Sequence, residues 1–115
     1  MEARHLLKQL KDDGWYLGDT EGASRQYRHP ERSGVITVCV RYTDELGPET
    51  ERSAMSPGET MNADHEIVVE TTRTGASAWV AGLPGCVATG HDEEETRERL
   101  VEALALHRRA LERAA

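Results

Sequence analysis

Phenylalanine is absent from this 115-residue chain, so any core must be assembled from Leu, Val, Ala, Trp and Tyr. With 30% of residues charged and 37% hydrophobic, such a core is marginal, and a partner surface or self-association would help it. Cysteine is scarce. Cys39 and Cys86 are too few for a disulfide-rich secreted scaffold, and their apolar surroundings suit reduced thiols. No apolar run approaches the ~20 residues of a membrane span, and no charged-then-apolar leader opens the chain. The expectation is a cytoplasmic protein with no membrane role. Excess positive charge is lacking too: the formal charge of −7 argues against a protein generally coated by nucleic acid, while leaving room for a local basic patch.

What is present divides at Met61. Before it, Leu6, Leu7 and Leu10 share one face of a short helix over Glu2 to Asp13, with Arg4, Lys8 and Lys11 turned outward, and Gly14 ends it. Trp15 to Leu17 forms a brief strand, Gly18 to Gly22 turns, Arg25 to His29 is extended, and Pro30 to Gly34 turns again. Val35 to Val40 is the strongest strand signal, rich in β-branched residues. Tyr42 to Glu59 offers neither helix nor strand and is expected to be a loop or linker. Arg25, Arg28, Arg32 and Arg41 face only Glu31 between them, which makes this the net-positive stretch of the molecule. Arginine forks match phosphate oxygens, so a phosphate-contacting hairpin stands beside the plainer reading of a solvated sheet face. His29 has the chemistry of a general acid or base, without a partner whose position compels a pair.

After Met61, His65 to Thr71 and Ala76 to Val80 form a hairpin with Trp79 as its large anchor, turning at Arg73 to Gly75. Leu83-Pro84-Gly85-Cys86 follows, then a short strand at Val87 to Thr89. Asp92 with Glu95 three residues on is a capping-box pattern that starts a long helix. Leu100, Leu104, His107 and Leu111 form its apolar stripe, widened by Val101 and Ala105. Burying the three leucines would contribute about 5 to 8 kcal/mol before entropy is charged. His107 is expected at the boundary of that stripe. His91 beside the acidic run 92–95 lacks a folded metal-ligand spacing, so neither metal nor cofactor is called for.

Leu6-Leu7-Lys8-Gln9-Leu10-Lys11-Asp12-Asp13-Gly14-Trp15, then Gly22-Ala23-Ser24-Arg25-Gln26-Tyr27-Arg28-His29-Pro30 and the strand Val35 to Val38, resemble the HicA-type toxins. These are small messenger-RNA-cleaving ribonucleases with a double-stranded-RNA-binding-like fold. Ile67 to Glu70, Ala78-Trp79-Val80, the run Gly82 to Gly90 and the helix through Leu111 resemble the HicB-type antitoxins, whose compact domain is similar to part of a ribonuclease H fold. The resemblance implies an α+β protein: an α-β-β-β unit over 1–60, with its linker, joined to a β-β-β-α unit over 61–115.

Three departures shape the functional expectation. The toxin pattern places a catalytic histidine where this chain has Ser24, and a serine hydroxyl has no pKa near neutrality with which to replace an imidazole. Ser56-Pro57-Gly58-Glu59-Thr60 retains the start of the toxins' Pro-Gly-Thr-Leu element, but the closing helix does not follow. The antitoxin-like half carries no DNA-reading module, so direct DNA binding is not expected. The expectation is a catalytically silent protein derived from a toxin-antitoxin pair. It would bind a HicA-type toxin or self-associate as a homodimer or larger oligomer, through Trp79, Leu83, Leu100, Leu104 and Leu111. The alternative is an RNA binder or weak endoribonuclease that uses Arg25, Arg28, His29, Arg32 and Arg41.

Overall fold

The computed structural model describes residues 1–57 and 66–114. In chain order the elements are α1 (Ala3–Asp12), β1 (Tyr16–Glu21), β2 (Ser24–Arg28), β3 (Ile36–Cys39), α2 (Pro48–Ala54), β4 (Ile67–Thr72), β5 (Gly75–Val80), β6 (Cys86–Gly90) and α3 (Glu93–Ala114). The strands make one six-stranded sheet ordered β1-β2-β3-β6-β5-β4, so the architecture is mixed α+β. Both halves of the chain build it. Every neighbouring pair is antiparallel except β3 with β6, where Thr37, Val38 and Cys39 run parallel to Cys86, Val87 and Ala88. The division expected at Met61, and His65 with it, lies outside the described residues.

Side chains alternate across a strand, and here the alternation sorts the core into two layers. Ile36, Val38 and Val87 join Leu6, Leu10, Trp15 and Ala54 in one cluster, so α1 and α2 cover that face. Val35, Cys39, Cys86 and Ala88 join Leu83, Leu100, Ala103 and Leu111 in the other, beneath α3. The sheet is therefore covered on both sides. α3 contacts β2 and β3 as well as β4, β5 and β6, so the second half's helix roofs the first half's strands within the same chain.

Three expectations are corrected. The Gly18 to Gly22 turn is strand through Glu21, with a register irregularity between Leu17 and Thr20, and the reversal comes at Gly22 and Ala23. The stretch expected to be loop contains α2, seven residues long with Pro48 at its first turn, where the missing N–H costs nothing. No side chain within the helix caps it. The Glu70 carboxylate on β4 does so from a distance, accepting from the amides of Glu49 (3.2 Å) and Thr50 (2.7 Å) and from the Thr50 hydroxyl (2.7 Å). On α3, Val101 is 56% exposed and Ala105 is exposed, so neither widens the stripe; Ala103, Leu106 and Ala110 are buried instead, and Leu104 is half-buried.

Leu83-Pro84-Gly85-Cys86 is the seam between the halves. The Gly85 carbonyl accepts from the Thr37 amide (2.8 Å), and the Gly85 amide donates to the Ser53 carbonyl (2.9 Å). Gly85 sits at φ +97°, and a Cβ there would lie 2.7 Å from the Val35 carbonyl oxygen, so both conformation and space demand glycine. Polar bonds extend the seam. The Gly47 amide donates to Ser77 Oγ, and the Glu45 amide to Thr74 Oγ1.

Candidate functional site

β2 carries the residues on which the chemistry would depend, and its alternation sends them to opposite faces. Ser24 and Gln26 point under α3 and are fully buried. The Ala23 amide donates to Glu102 (3.3 Å) and Gln26 Nε2 donates to the Leu106 carbonyl (3.2 Å), pinning the helix over this end of the strand. The Ser24 hydroxyl lies against the Cys39 thiol, a weak hydrogen-bonding group, and has no other partner among the described residues. Burial pushes the Cys39 thiol up, a shift that Ser24 offsets in part, and burial raises Cys86 as well. Neither cysteine is poised as a thiolate nucleophile.

His29 is held as a structural residue. Its Nδ1 accepts from the Glu31 amide (3.0 Å), which leaves the proton on Nε2 to donate to the Asp13 carbonyl (2.8 Å). The ring also stands edge-on to Trp15, centroids 5.2 Å apart, and Gly14 makes room for it. Both nitrogens are committed, so proton transfer would first require breaking a bond that secures the end of α1.

The four arginines are not gathered into one patch. Arg41 bonds Asp44 (3.0 Å) and Glu95 (3.0 Å) at the start of α3, where Thr89 also donates to Asp44. It is a structural cation. Arg28 contacts Gln26 Oε1 on the α3 side. Arg32 lines a separate cleft with Leu10, Trp15, Ile36 and Met55. Arg25 lies on the opposite face, stacked over Tyr42 at 4.9 Å and hydrogen-bonded to its hydroxyl, a contact that raises its already high pKa.

Around Arg25 lies a feature that the sequence reading missed. A cleft of about 500 Å³ has an apolar floor of Leu7, Trp15 and Leu17, with Lys8, Lys11, Tyr16, Arg25, Tyr27 and Tyr42 also lining it. Tyr16 and Tyr42 are half exposed. Part of the signal was available, since Arg25 and Tyr27 stand two apart on a strand and must share a face.

The proposed protein-binding residues are largely spent inside the chain. Leu83 and Leu100 are fully buried, Leu111 is 8% exposed, and all three belong to the cluster under α3. Trp79 packs from the other face against the α1 and α2 cluster. His107, expected at the boundary, is fully buried: Nδ1 meets Thr37 Oγ1 at 2.8 Å and Nε2 has no partner among the described residues. An imidazolium there would leave an N–H unsatisfied, and desolvation pulls its pKa down to about 4.

The acidic start of α3 is a working helix cap. Asp92 accepts from the Glu95 amide (2.8 Å) and Glu95 accepts from the His91 amide (3.0 Å), one residue earlier than a standard capping box. That bond to His91, with Arg41 nearby, holds the Glu95 carboxyl below its usual range.

Residues 3–56 match the family model of the HicA toxin of bacterial toxin-antitoxin. The chain carries a HicA-type segment. That segment runs from α1 through the end of α2 and contains Ser24, His29 and Arg25, and through it the protein is related to toxin-antitoxin proteins. No curated protein and no solved structure matches the chain. Among the described residues no helix is long and apolar enough to cross a membrane.

Proposed function

We propose that the HicA-type segment is catalytically silent and permanently roofed by an antitoxin-like second half, so that the protein acts by binding other protein chains. The observation that carries this is Ser24: the position where the toxin pattern requires a histidine holds a serine, fully buried beneath α3. An imidazole is needed for proton transfer, and exposure is needed for an RNA to reach it. This site offers neither. The antitoxin-like reading of residues 66–114 rests on their sequence resemblance and on the place α3 takes, over the strands of the HicA-type segment. Because Leu83, Leu100 and Leu111 are already engaged in cis, self-association is favoured over capture of a separate toxin through those residues.

The test is RNA cleavage by purified protein beside the Ser24→His variant. No cleavage by either is expected, since a histidine at position 24 would still lie under the helix. Cleavage by the unmodified chain, abolished by changing one of its own residues, would refute silence.

A second reading is supported by the cleft around Arg25. Lys11 and Arg25, with Lys8 once it leaves its exposed ion pair with Asp12, stand beside three tyrosines, an arrangement that suits a single-stranded nucleic acid with phosphates on the cations and bases on the rings. RNA affinity that falls steeply with salt and is lost in Arg25→Ala would support it.

A further inference from the structure

The two ends of the sheet are protected to different degrees. β1 is an edge with an irregular register, a glycine at position 18 and two carboxylates, Asp19 and Glu21, paired with Arg113 and Arg109 of α3. Bulges and charges of this kind deter strand addition. β4 has none of these devices on its outer side. All six of its residues pair with β5 in unbroken register, and they read Ile-Val-Val-Glu-Thr-Thr. Its one charged residue, Glu70, is drawn inward to cap α2.

Which backbone groups face outward follows from the ladder. Ala81 donates to the Glu66 carbonyl, and these two residues continue the β4–β5 register, so they are a hydrogen-bonded pair. Bonded and non-bonded pairs alternate in an antiparallel ladder. Val68, Glu70 and Thr72 therefore bond to β5, while the N–H and C=O groups of Ile67, Val69 and Thr71 point away from the sheet and have no partner among the described residues.

The geometry points to a homodimer formed by antiparallel pairing of β4 with β4 of a second copy, about a two-fold axis at Val69. A second copy is the occupant because the strand is complementary to itself about that residue. Ile67 would stand opposite Thr71 of the other copy and Val69 opposite Val69, each pair exchanging both hydrogen bonds. Glu70 would stand opposite Val68, so no like charges meet. The helix above agrees: Val101, 56% exposed, and Leu104 occupy the flank of α3 opposite the one that Glu102, Arg109 and Arg113 fasten to the first half. This pairing gives the self-associating reading a surface and a register, and it does not depend on Ser24.

A single strand pair buries less than a standard interface, so the dimer should be concentration-dependent. Sedimentation of the full chain across a wide concentration range, together with amide hydrogen exchange, tests it. A monomer–dimer equilibrium is expected, with the Ile67, Val69 and Thr71 amides gaining protection as the dimer fills. Thr71→Lys, an exposed substitution, should shift the equilibrium to monomer at least tenfold, while Thr20→Lys on β1 should not. A monomer at every concentration would overturn the proposal and leave the buried Ser24 reading standing. So would a dimer in which those three amides exchange as fast as in the monomer, a readout that holds even if Thr71→Lys folds poorly. Protection that appears only when another protein is added would identify a foreign strand as the occupant and overturn the homodimer.

Discussion

The two faces of the sheet solve different problems. Beneath α3 the surface is sealed, and the polar groups trapped there are poorly satisfied: the Ser24 hydroxyl has the weakly bonding Cys39 thiol beside it, and His107 Nε2 has no partner among the described residues. Across the sheet the aromatic and basic side chains around Arg25 remain at the surface, where water satisfies them. The same strand, β2, supplies both. A residue type therefore says little about function until its face is known: Ser24 and Arg25 are neighbours in sequence, yet one is lost to solvent and the other presented to it.

The largest effect that would sharpen this contrast is Leu100→Ala, which opens a cavity on the sealed face and should cost about 2 to 5 kcal/mol in denaturant unfolding. Tyr42→Ala on the open face should cost much less. Next is the acid limb of stability. His107 has a depressed pKa when folded, so the unfolded chain binds the extra proton first: stability is complete above about pH 6.5 and falls as the pH drops toward 4. The loss attributable to this residue is about 3 kcal/mol. His107→Gln should flatten that part of the profile of melting temperature against pH, and an unchanged profile would show that the imidazole is not neutral in the fold. A smaller effect is expected from Ser24→Ala. Removing a buried hydroxyl that faces only a weakly bonding thiol should be neutral or stabilising by up to about 1 kcal/mol, and a clear destabilisation would mean that its contact with Cys39 is a strong hydrogen bond. Smallest is Tyr42→Phe, within about 0.5 kcal/mol for stability, because the Arg25 guanidinium that loses its bond to the Tyr42 hydroxyl lies at the surface and turns to water instead.

Local signals in the sequence carried the elements whose cause is local. The Leu6 and Leu10 spacing, the β-branched run at Val35 to Val40 and the Asp92 and Glu95 cap each appear where their chemistry placed them. α2 was hidden because five of its seven residues are polar and show no apolar period, and because its cap, Glu70, comes from a strand formed later in the chain. The parallel contact of β3 with β6 was hidden for the same reason, since nothing near Thr37 indicates that Cys86 will lie beside it. The candidate site suffered most: Arg25, Arg28, Arg32 and Arg41 look like one basic stretch along the chain, and only the arrival of α3 over Ser24 and Gln26 separates the faces on which they lie. His107 was placed on the correct stripe, but its depth was set by the sheet it meets.

The seam at Gly85 bears on how the chain is made. β3 can find its parallel neighbour only after β4, β5 and β6 have left the ribosome, which at about 5 to 20 residues per second means a wait of a few seconds. During that interval the nascent HicA-type segment has no strand on one side and no roof over Ser24. Until residues 86–111 emerge, Ser24, Gln26 and the apolar face that α3 later covers stay open to water, so the nascent chain carries an exposed core face for as long as its second half takes to be made.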